Sequence, residues 1–137
     1  TCFHPIVTER TQNFNYSFKK FGAYAIEASE QTRRLTIPKI NPVKKLNTLL
    51  NNWHKNEIIL LCNENDGIPI MKIRNKLSKP VSILIGPEGG FSRDELEGFL
   101  NFEFITSISL GPRILRSDTA AISMVASYQS IFGDWNL

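Results

Sequence analysis

The fold of this chain is decided by two stretches, ILIGPEGGFS at residues 83–92 and SLGPRILRSDTAA at residues 109–121. Each begins as an apolar run typical of a strand, passes through a glycine-containing loop and continues into residues that favour a helix. Ser92 and Glu95 form a Ser-x-x-Glu capping box, which marks the first helix start. Ligands of open α/β sheets bind where strands end and helices begin, and glycine lets a ligand approach bare backbone. The two junctions therefore predict one composite binding site.

Apolar runs and amphipathic segments alternate through the rest of the chain. Largely apolar runs at residues 58–62, 81–85 and 105–110 are typical of strands covered on both faces. Shorter extended pieces are predicted at residues 3–7 and 37–40. The alternation predicts an α/β fold in which a parallel sheet carries helices on both faces.

Four helices are predicted from apolar spacing and capping residues. The first carries an apolar stripe of Phe14, Phe18, Phe21, Ala25 and Ala28. The second has Asn41 as its N-cap and Pro42 at its first position, before Val43, Leu46, Leu49 and Leu50. The third directs Leu96 and Leu100 towards the core, and the fourth spans residues 118–132.

The length of 137 residues predicts one compact domain covering residues 1–137. No apolar run is long enough to cross a bilayer. The first residues, TCFHP, show neither an initiator methionine nor the regions of a signal peptide. We therefore expect the chain to begin inside a longer protein.

The cysteines and histidines indicate a reducing compartment and no metal centre. Cys62 lies in the apolar run at residues 58–62 and is interpreted as a small buried hydrophobe rather than a disulfide partner of Cys2. His4 and His54 are isolated from each other and from both cysteines in the sequence, so no local zinc spacing is formed. We expect a cytoplasmic protein that binds no metal and no membrane.

The charge distribution favours nucleic acid only weakly, because the net charge is +3 and the pI is about 9.0. Lysines and arginines between residues 72 and 79 follow one another without an acid, and we interpret this run as a solvated face. Arg33 and Arg34 end the first helix, whereas Arg113 and Arg116 lie in the second loop.

Familiar ligand-binding patterns are absent from the two loops. No Gly-x-Gly occurs, so the dinucleotide fingerprint is missing, and Phe91-Ser92 stands where a P-loop would have its lysine. Gly-x-Ser-x-Gly is also absent, which argues against a serine hydrolase. Taken alone, the first loop could be no more than a turn with positive φ at its glycines.

Three motifs together closely resemble those of the SPOUT RNA methyltransferases, and specifically the RsmE family of ribosomal RNA uracil-N3 methyltransferases. The motifs are IGPEGG at residues 85–90, LGPRILRSDTA at residues 110–120 and EASEQTRR at residues 27–34. They occur in the family's order, and the resemblance runs along the whole chain. Asp118 departs from the pattern, because the family usually has glutamate there.

The resemblance implies a SPOUT-type fold with a C-terminal trefoil knot, a homodimer, and S-adenosylmethionine as methyl donor. The implied substrate is N3 of a uridine in 16S ribosomal RNA, either naked or in the assembled small subunit. The family's PUA-like barrel and the first strand and helix of its catalytic domain have no counterpart in this chain. On this basis residues 1–137 correspond to the methyltransferase domain.

The resemblance and the chemistry of the donor together suggest which residues hold it. An apolar slot for adenine and backbone groups for its ring edge could come from Leu84, Ile85, Gly86, Gly89, Gly90, Leu110, Gly111, Ile114, Leu115 and Ala120. The alternative is that the aliphatic members are core packing alone.

Three charged residues are candidates for the reaction. Arg116 could donate to a carbonyl oxygen and stabilise the uracil anion, or instead cap a helix or contact phosphate. Glu88 could accept the N3 proton, or only tether backbone amides within its loop. Arg34 could reach RNA or the partner subunit's site, or form a plain salt bridge at its helix end.

Two other functions remain open from the sequence. A different SPOUT enzyme acting on transfer RNA or on ribose could use the same cofactor loops, although the motif at residues 27–34 argues against it. The second alternative, from a different class of function, is that the chain is a non-catalytic module for RNA binding or dimerisation.

Overall fold

The computed structural model describes residues 1–12, 16–63, 66–73 and 80–136. They form two compact units, Thr1–Asn52 and Trp53–Leu137. Phe14 of the predicted stripe and residues 74–79 of the basic run lie outside the described residues.

The N-terminal unit is built from two short parallel strand pairs and two helices. Its elements in chain order are β1 (Cys2–Phe3), β2 (Ile6–Val7), α1 (Phe18–Gln31), β3 (Lys39–Ile40), β4 (Lys44–Lys45) and α2 (Leu46–Asn51). Strand β1 pairs with β3 and β2 pairs with β4. The extended pieces predicted near residues 3–7 and 37–40 are thus confirmed as parts of these pairs.

Helix α1 forms where the apolar spacing predicts it, but its stripe does not face a core. Ser17 caps the helix by accepting a hydrogen bond from the backbone N–H of Lys20. Phe18 and Phe21 are exposed, and Ser29 is the one buried residue of this fully described helix. These two rings of the predicted stripe therefore remain open to solvent.

Helix α2 begins later than predicted. Residues 41–43 are irregular, and the following strand β4 pairs with β2 through a hydrogen bond from the Lys44 N–H to the Pro5 carbonyl, 3.1 Å. This pairing keeps the backbone extended up to the observed N-cap at Lys45, so Asn41 as N-cap is wrong. Of the apolar residues that the spacing groups together, Leu46, Leu49 and Leu50 are buried, whereas Val43 is exposed.

The C-terminal unit contains a four-stranded parallel sheet. Its strands are β5 (Ile58–Cys62), β6 (Ile68–Pro69), β7 (Val81–Leu84) and β8 (Ile105–Ser109), in the order β6-β8-β5-β7. Two α-helices, α3 (Arg93–Phe99) and α4 (Ser117–Ile131), and two 3-10 helices, Ile70–Ile73 and Asp134–Asn136, complete it. The parallel α/β prediction is confirmed, and the short strand β6 is an addition to it.

The core of this unit lies around β5, β8 and α4. Leu60, Ile108 and Met124 are fully buried, and Ile70 and Ile73 of the first 3-10 helix complete the cluster. Burying a side chain of this size stabilises the fold by about 1.5–3 kcal/mol. The sheet edge from which the candidate loops emerge is therefore held by a rigid base.

Helix α3 starts at the predicted capping box. The Ser92 N–H donates to Glu95 Oε2 at 2.9 Å, and the Glu95 N–H donates to Ser92 Oγ at 3.1 Å. The helix ends at Phe99, whose ring packs edge-on against Phe91 at 5.1 Å. Phe99 takes the core-facing position, and Leu100 is 85% exposed. The prediction that Leu100 faces the core is wrong.

Candidate functional site

The candidate site lies at one edge of the parallel sheet in the C-terminal unit. Strands β7 and β8 flank β5 on its two sides, and all three run in the same direction. The segments after β7 and β8, at residues 85–92 and 110–116, therefore both leave the sheet at its carboxyl edge. This geometry is the one in which α/β sheets bind ligands.

The first loop is a tight turn with accessible backbone. The Gly90 N–H donates to the Pro87 carbonyl at 2.9 Å, and Gly90 has φ +66°. A Cβ added to Gly90 would meet no atom within 4 Å, whereas one added to Gly86 would lie 3.0 Å from the ring of Phe91. Gly90 thus provides both a left-handed conformation and open space, and Gly86 lets the Phe91 ring approach the backbone.

The second loop has the same two properties at Gly111. Its φ is +111°, and a Cβ there would again meet nothing within 4 Å. The Gly111 N–H donates to Ser109 Oγ at 3.2 Å, which fixes the start of the loop. Ile114 is 77% exposed and Leu115 is half-buried. The loop therefore offers bare backbone beside apolar side chains.

A side-chain hydrogen bond joins the two loops. Ser117 Oγ, at the first position of α4, donates to Glu88 Oε1 at 3.4 Å. The two segments that the sequence singled out separately are thus in direct contact. Ser117 was not among the predicted site residues; the signal available for it was a hydroxyl immediately after Arg116 at a helix start.

The predicted aliphatic residues divide by burial. Leu84 is buried, whereas Ile85 and Leu110 are half-buried and pack against the core cluster. Ala120, in the first turn of α4, is also half-buried. Core packing is thus sufficient to explain the apolar side chain of Leu84. Ile85, Leu110 and Ala120 keep part of their surface accessible to a ligand.

Arg116 presents its side chain to solvent at the start of α4. Its backbone occupies the N-cap position and its carbonyl accepts from the Ala120 N–H at 2.7 Å. The side chain makes no capping bond, is 82% exposed and places Nε 3.7 Å from Asp118 Oδ1. A hydrogen bond from the Thr119 N–H, aided by the Arg116 charge, lowers the pKa of the Asp118 carboxyl. The alternative that the Arg116 side chain serves to cap the helix is therefore not supported.

The other two charged candidates have identifiable contacts. Glu88 is exposed, and its contact with Ser117 ties the loops together. Arg34 belongs to the N-terminal unit, where its Nη2 donates to Thr1 Oγ1 at 3.3 Å. Glu88 is therefore joined to the second loop, whereas Arg34 belongs to the other compact unit.

A glycine missed as a site residue determines how closely the chain crosses the end of β8. A Cβ on Gly67 would lie 2.5 Å from the Ile108 carbonyl carbon and from the Ser109 nitrogen. The Asn63 N–H also donates to the Ile108 carbonyl at 3.0 Å. No local sequence pattern indicates this backbone contact.

The cysteines are both free, as predicted. The prediction that His4 is isolated from both cysteines is wrong. The Sγ atom of Cys2 lies 3.3 Å from Nε2 of His4. Nevertheless, within the described part of the chain no three histidine, cysteine or acidic side chains come together as metal ligands.

None of the helices among the described residues has the length and hydropathy needed to span a membrane.

A parallel sheet with two bridged glycine loops at its carboxyl edge defines a ligand-binding domain of the α/β class. Comparison with known proteins identifies the family within that class. The chain belongs to the RNA methyltransferase domain family, whose model matches residues 1–129. The resemblance to the RsmE family drawn from three motifs is confirmed by the relatives described next.

Several relatives are named ribosomal RNA small subunit methyltransferase E. The one from Rickettsia conorii is 37% identical over 125 residues, which cover 89% of this chain and 50% of that protein. The one from Buchnera aphidicola of Acyrthosiphon pisum is 35% identical, over 90% of this chain and 48% of that protein. The chain thus spans about half the length of these curated relatives.

A solved structure of the same enzyme type matches the fold. The Neisseria gonorrhoeae ribosomal RNA small subunit methyltransferase E, bound to S-adenosyl methionine, superimposes with a TM-score of 0.86 at 26% identity. The match covers 95% of this chain and 54% of that one.

Proposed function

We propose that this chain is the donor-binding and catalytic part of a cytoplasmic enzyme that transfers a methyl group from S-adenosylmethionine to N3 of a uridine in 16S ribosomal RNA. The observation that carries the proposal is the Ser117–Glu88 contact, which brings the two glycine loops into one site. The relatives named above support the substrate and the donor.

The residues present fit the proposed methyl donor. S-adenosylmethionine supplies a methyl group that its sulfonium makes electrophilic, so the protein has only to bind and orient it. Gly90 and Gly111 have open space where a side chain would stand, and their backbone can contact the ring edge. The half-buried Ile85, Leu110 and Leu115 would contact the apolar face of adenine. The remaining proposed contacts are Leu84, Gly86, Gly89, Ile114 and Ala120.

The acceptor requires loss of a proton from uracil N3. We assign Arg116 to stabilise the resulting anion by donating to a uracil carbonyl oxygen. Its guanidinium is exposed and its nearest ionic contact is with Asp118 at 3.7 Å, which leaves donors free for a substrate. Glu88 is assigned as the proton acceptor as well as the loop tether. Arg34 is assigned to RNA contact from the N-terminal unit.

We also propose that the C-terminal segment of the chain forms a trefoil knot and that helices cover both faces of the sheet. Strand β8 is the last strand in the chain, yet it lies between β5 and β6, which are consecutive in the sequence. Inserting the chain end between two strands that are already connected is the arrangement a knot requires. The family model also crosses both compact units, which supports one methyltransferase domain over residues 1–137.

A homodimer is the proposed assembly. Helix α4 and the loop before it expose three large aliphatic side chains, Ile114, Ile122 and Val125. Exposed apolar surface of this kind is typical of protein interfaces. A second copy would cover it next to the candidate site.

The proposed reaction is tested by nucleoside mass spectrometry. Small subunits that lack the N3 methyl group are incubated with the protein and S-adenosylmethionine, and their ribosomal RNA is digested. We expect 3-methyluridine to appear. A methyl group on ribose or on added transfer RNA would instead indicate a different SPOUT enzyme, and absence of any transfer would indicate a non-catalytic module.

A further inference from the structure

Positive charge is concentrated in the N-terminal unit. Residues 1–52 carry eight lysines and arginines against three glutamates, whereas residues 53–137 carry eight against ten acidic side chains. The first unit is therefore strongly basic although the whole chain has a net charge of only +3. A basic unit of this kind attracts polyanions such as RNA.

A row of aromatic rings at the start of α1, beginning with Tyr16 just before the helix, adds to this charge. Tyr16 stacks on Phe21 with 5.2 Å between ring centroids, and Phe21 meets Tyr24 edge-on at 6.4 Å. Phe21 and Tyr24 are 44% and 52% exposed. Lys20 Nζ lies 5.8 Å from the centroid of the Tyr24 ring. We call these four residues the aromatic–lysine cluster.

The surroundings of the cluster favour a negatively charged partner. Lys19 is exposed beside it, and the first turn of α1 contains no acidic residue. The first carboxylate along the helix is Glu27, whose Oε1 accepts a hydrogen bond from Gln31 at 3.3 Å. An anionic strand approaching the start of the helix would thus meet two ammonium groups before the first carboxylate of the helix.

We propose that the aromatic–lysine cluster is a docking surface for single-stranded RNA, with bases stacked on the rings and phosphates contacted by Lys19 and Lys20. Rings interleaved with cations are the general means by which proteins hold unpaired nucleotides. This inference rests on the proposed function, because it assigns where the RNA substrate is held. The exposed rings and the basic charge of the same unit are explained together.

The test measures RNA affinity of the full chain by fluorescence anisotropy with a labelled twelve-nucleotide oligouridine at several salt concentrations. Tyr24→Ala should weaken binding roughly fivefold or more, because one stacked base contributes about 1–3 kcal/mol. Tyr24→Phe keeps the ring and should bind like the unaltered protein. Lys20→Gln should lower the magnitude of the salt slope by about 1.

Matched controls come from the C-terminal unit. Lys55→Gln removes an exposed lysine, and Trp135→Ala removes a ring that is 66% exposed; both should leave the affinity unchanged. Equal losses in the controls and in the Tyr24 and Lys20 variants would overturn the proposal. So would full affinity in Tyr24→Ala, or absence of any binding to the unaltered chain.

Two further readouts separate this proposal from its alternatives. Size-exclusion chromatography of Tyr24→Ala should show the same assembly as the unaltered protein; a change of assembly would show that a second copy covers the cluster and would overturn the RNA assignment. Calorimetric titration with S-adenosylmethionine should give equal affinity in all variants. Failure of the unaltered chain to bind the donor would count against the proposed function, whatever the RNA result.

Discussion

At the scale of single residues, Arg116 is the side chain whose position most needs a functional explanation. Its backbone already satisfies the N-cap of α4, since its carbonyl accepts from Ala120. The guanidinium contributes no capping bond and has one exposed ion-pair contact, with Asp118. Exposed pairs of this kind contribute little to stability. We propose that this side chain, which the fold does not use, acts on the substrate.

Replacing Arg116 with alanine should therefore affect catalysis rather than folding. We expect kcat/KM for methyl transfer to fall roughly 100- to 1000-fold, as when one donor to a developing negative charge is removed. Calorimetry should show donor affinity close to that of the unaltered protein. Arg113→Ala, which removes an exposed arginine from the same loop, is the control and should retain activity. Full turnover in Arg116→Ala would contradict the assignment of Arg116 to stabilise the uracil anion.

Cys62 provides a prediction about pH. Burial raises the pKa of its thiol from 9.0 to about 12. The unfolded thiol ionises above pH 9 while the folded one stays neutral, so the stability that this thiol provides is present below pH 9 and is lost as the pH rises towards 12. Urea unfolding between pH 9 and pH 11 should show the unaltered protein losing about 1.4 kcal/mol per pH unit more than Cys62→Ala. Parallel decreases in both proteins would contradict this expectation.

At the scale of elements, the loop that leads from β8 to α4 starts where Gly67 crosses the end of β8. Gly67 permits this crossing, because a Cβ there would lie 2.5 Å from backbone atoms of Ile108 and Ser109. Backbone cannot move aside as a flexible side chain can. The glycine therefore positions the start of the loop that leads from β8 to α4.

Gly67→Ala and Gly98→Ala form a matched pair that tests this crossing. The first should lower the free energy of unfolding by about 1–3 kcal/mol, the usual range for overpacking. The second lies in α3 with nothing within 4 Å of the added Cβ, and should raise it by roughly 0.5–1 kcal/mol. Chemical denaturation of both variants provides the measurement. Equal effects would show that the contact at Gly67 is not tight.

The sequence predicts elements well where the signal is local and less well where it depends on distant partners. Ser92 and Glu95 mark the start of α3 because a capping box is complete within four residues. Asn41 fails as an N-cap because pairing of β4 with β2 keeps the backbone extended past it. The contact of Ser117 with Glu88 joins residues 29 positions apart, and no local pattern could predict it.

At the scale of the whole molecule, chemistry and charge are divided between the two units. The C-terminal unit contains both glycine loops and Arg116, whereas the N-terminal unit contains Arg34 and an excess of basic over acidic side chains that the C-terminal unit lacks. We propose from this arrangement that the C-terminal unit holds the donor and the N-terminal unit holds RNA. The family model matches residues 1–129 and so includes residues of both units.

The central claim is that the two bridged loops form one pocket for S-adenosylmethionine, and isothermal titration calorimetry of the full chain tests it most directly. We expect saturable binding of one donor molecule per chain. We also expect weaker binding in Ser117→Ala, which removes the hydroxyl that joins the loops, but unchanged binding in Ser130→Ala on the exposed side of α4. Absence of any binding heat with the unaltered chain would contradict the claim.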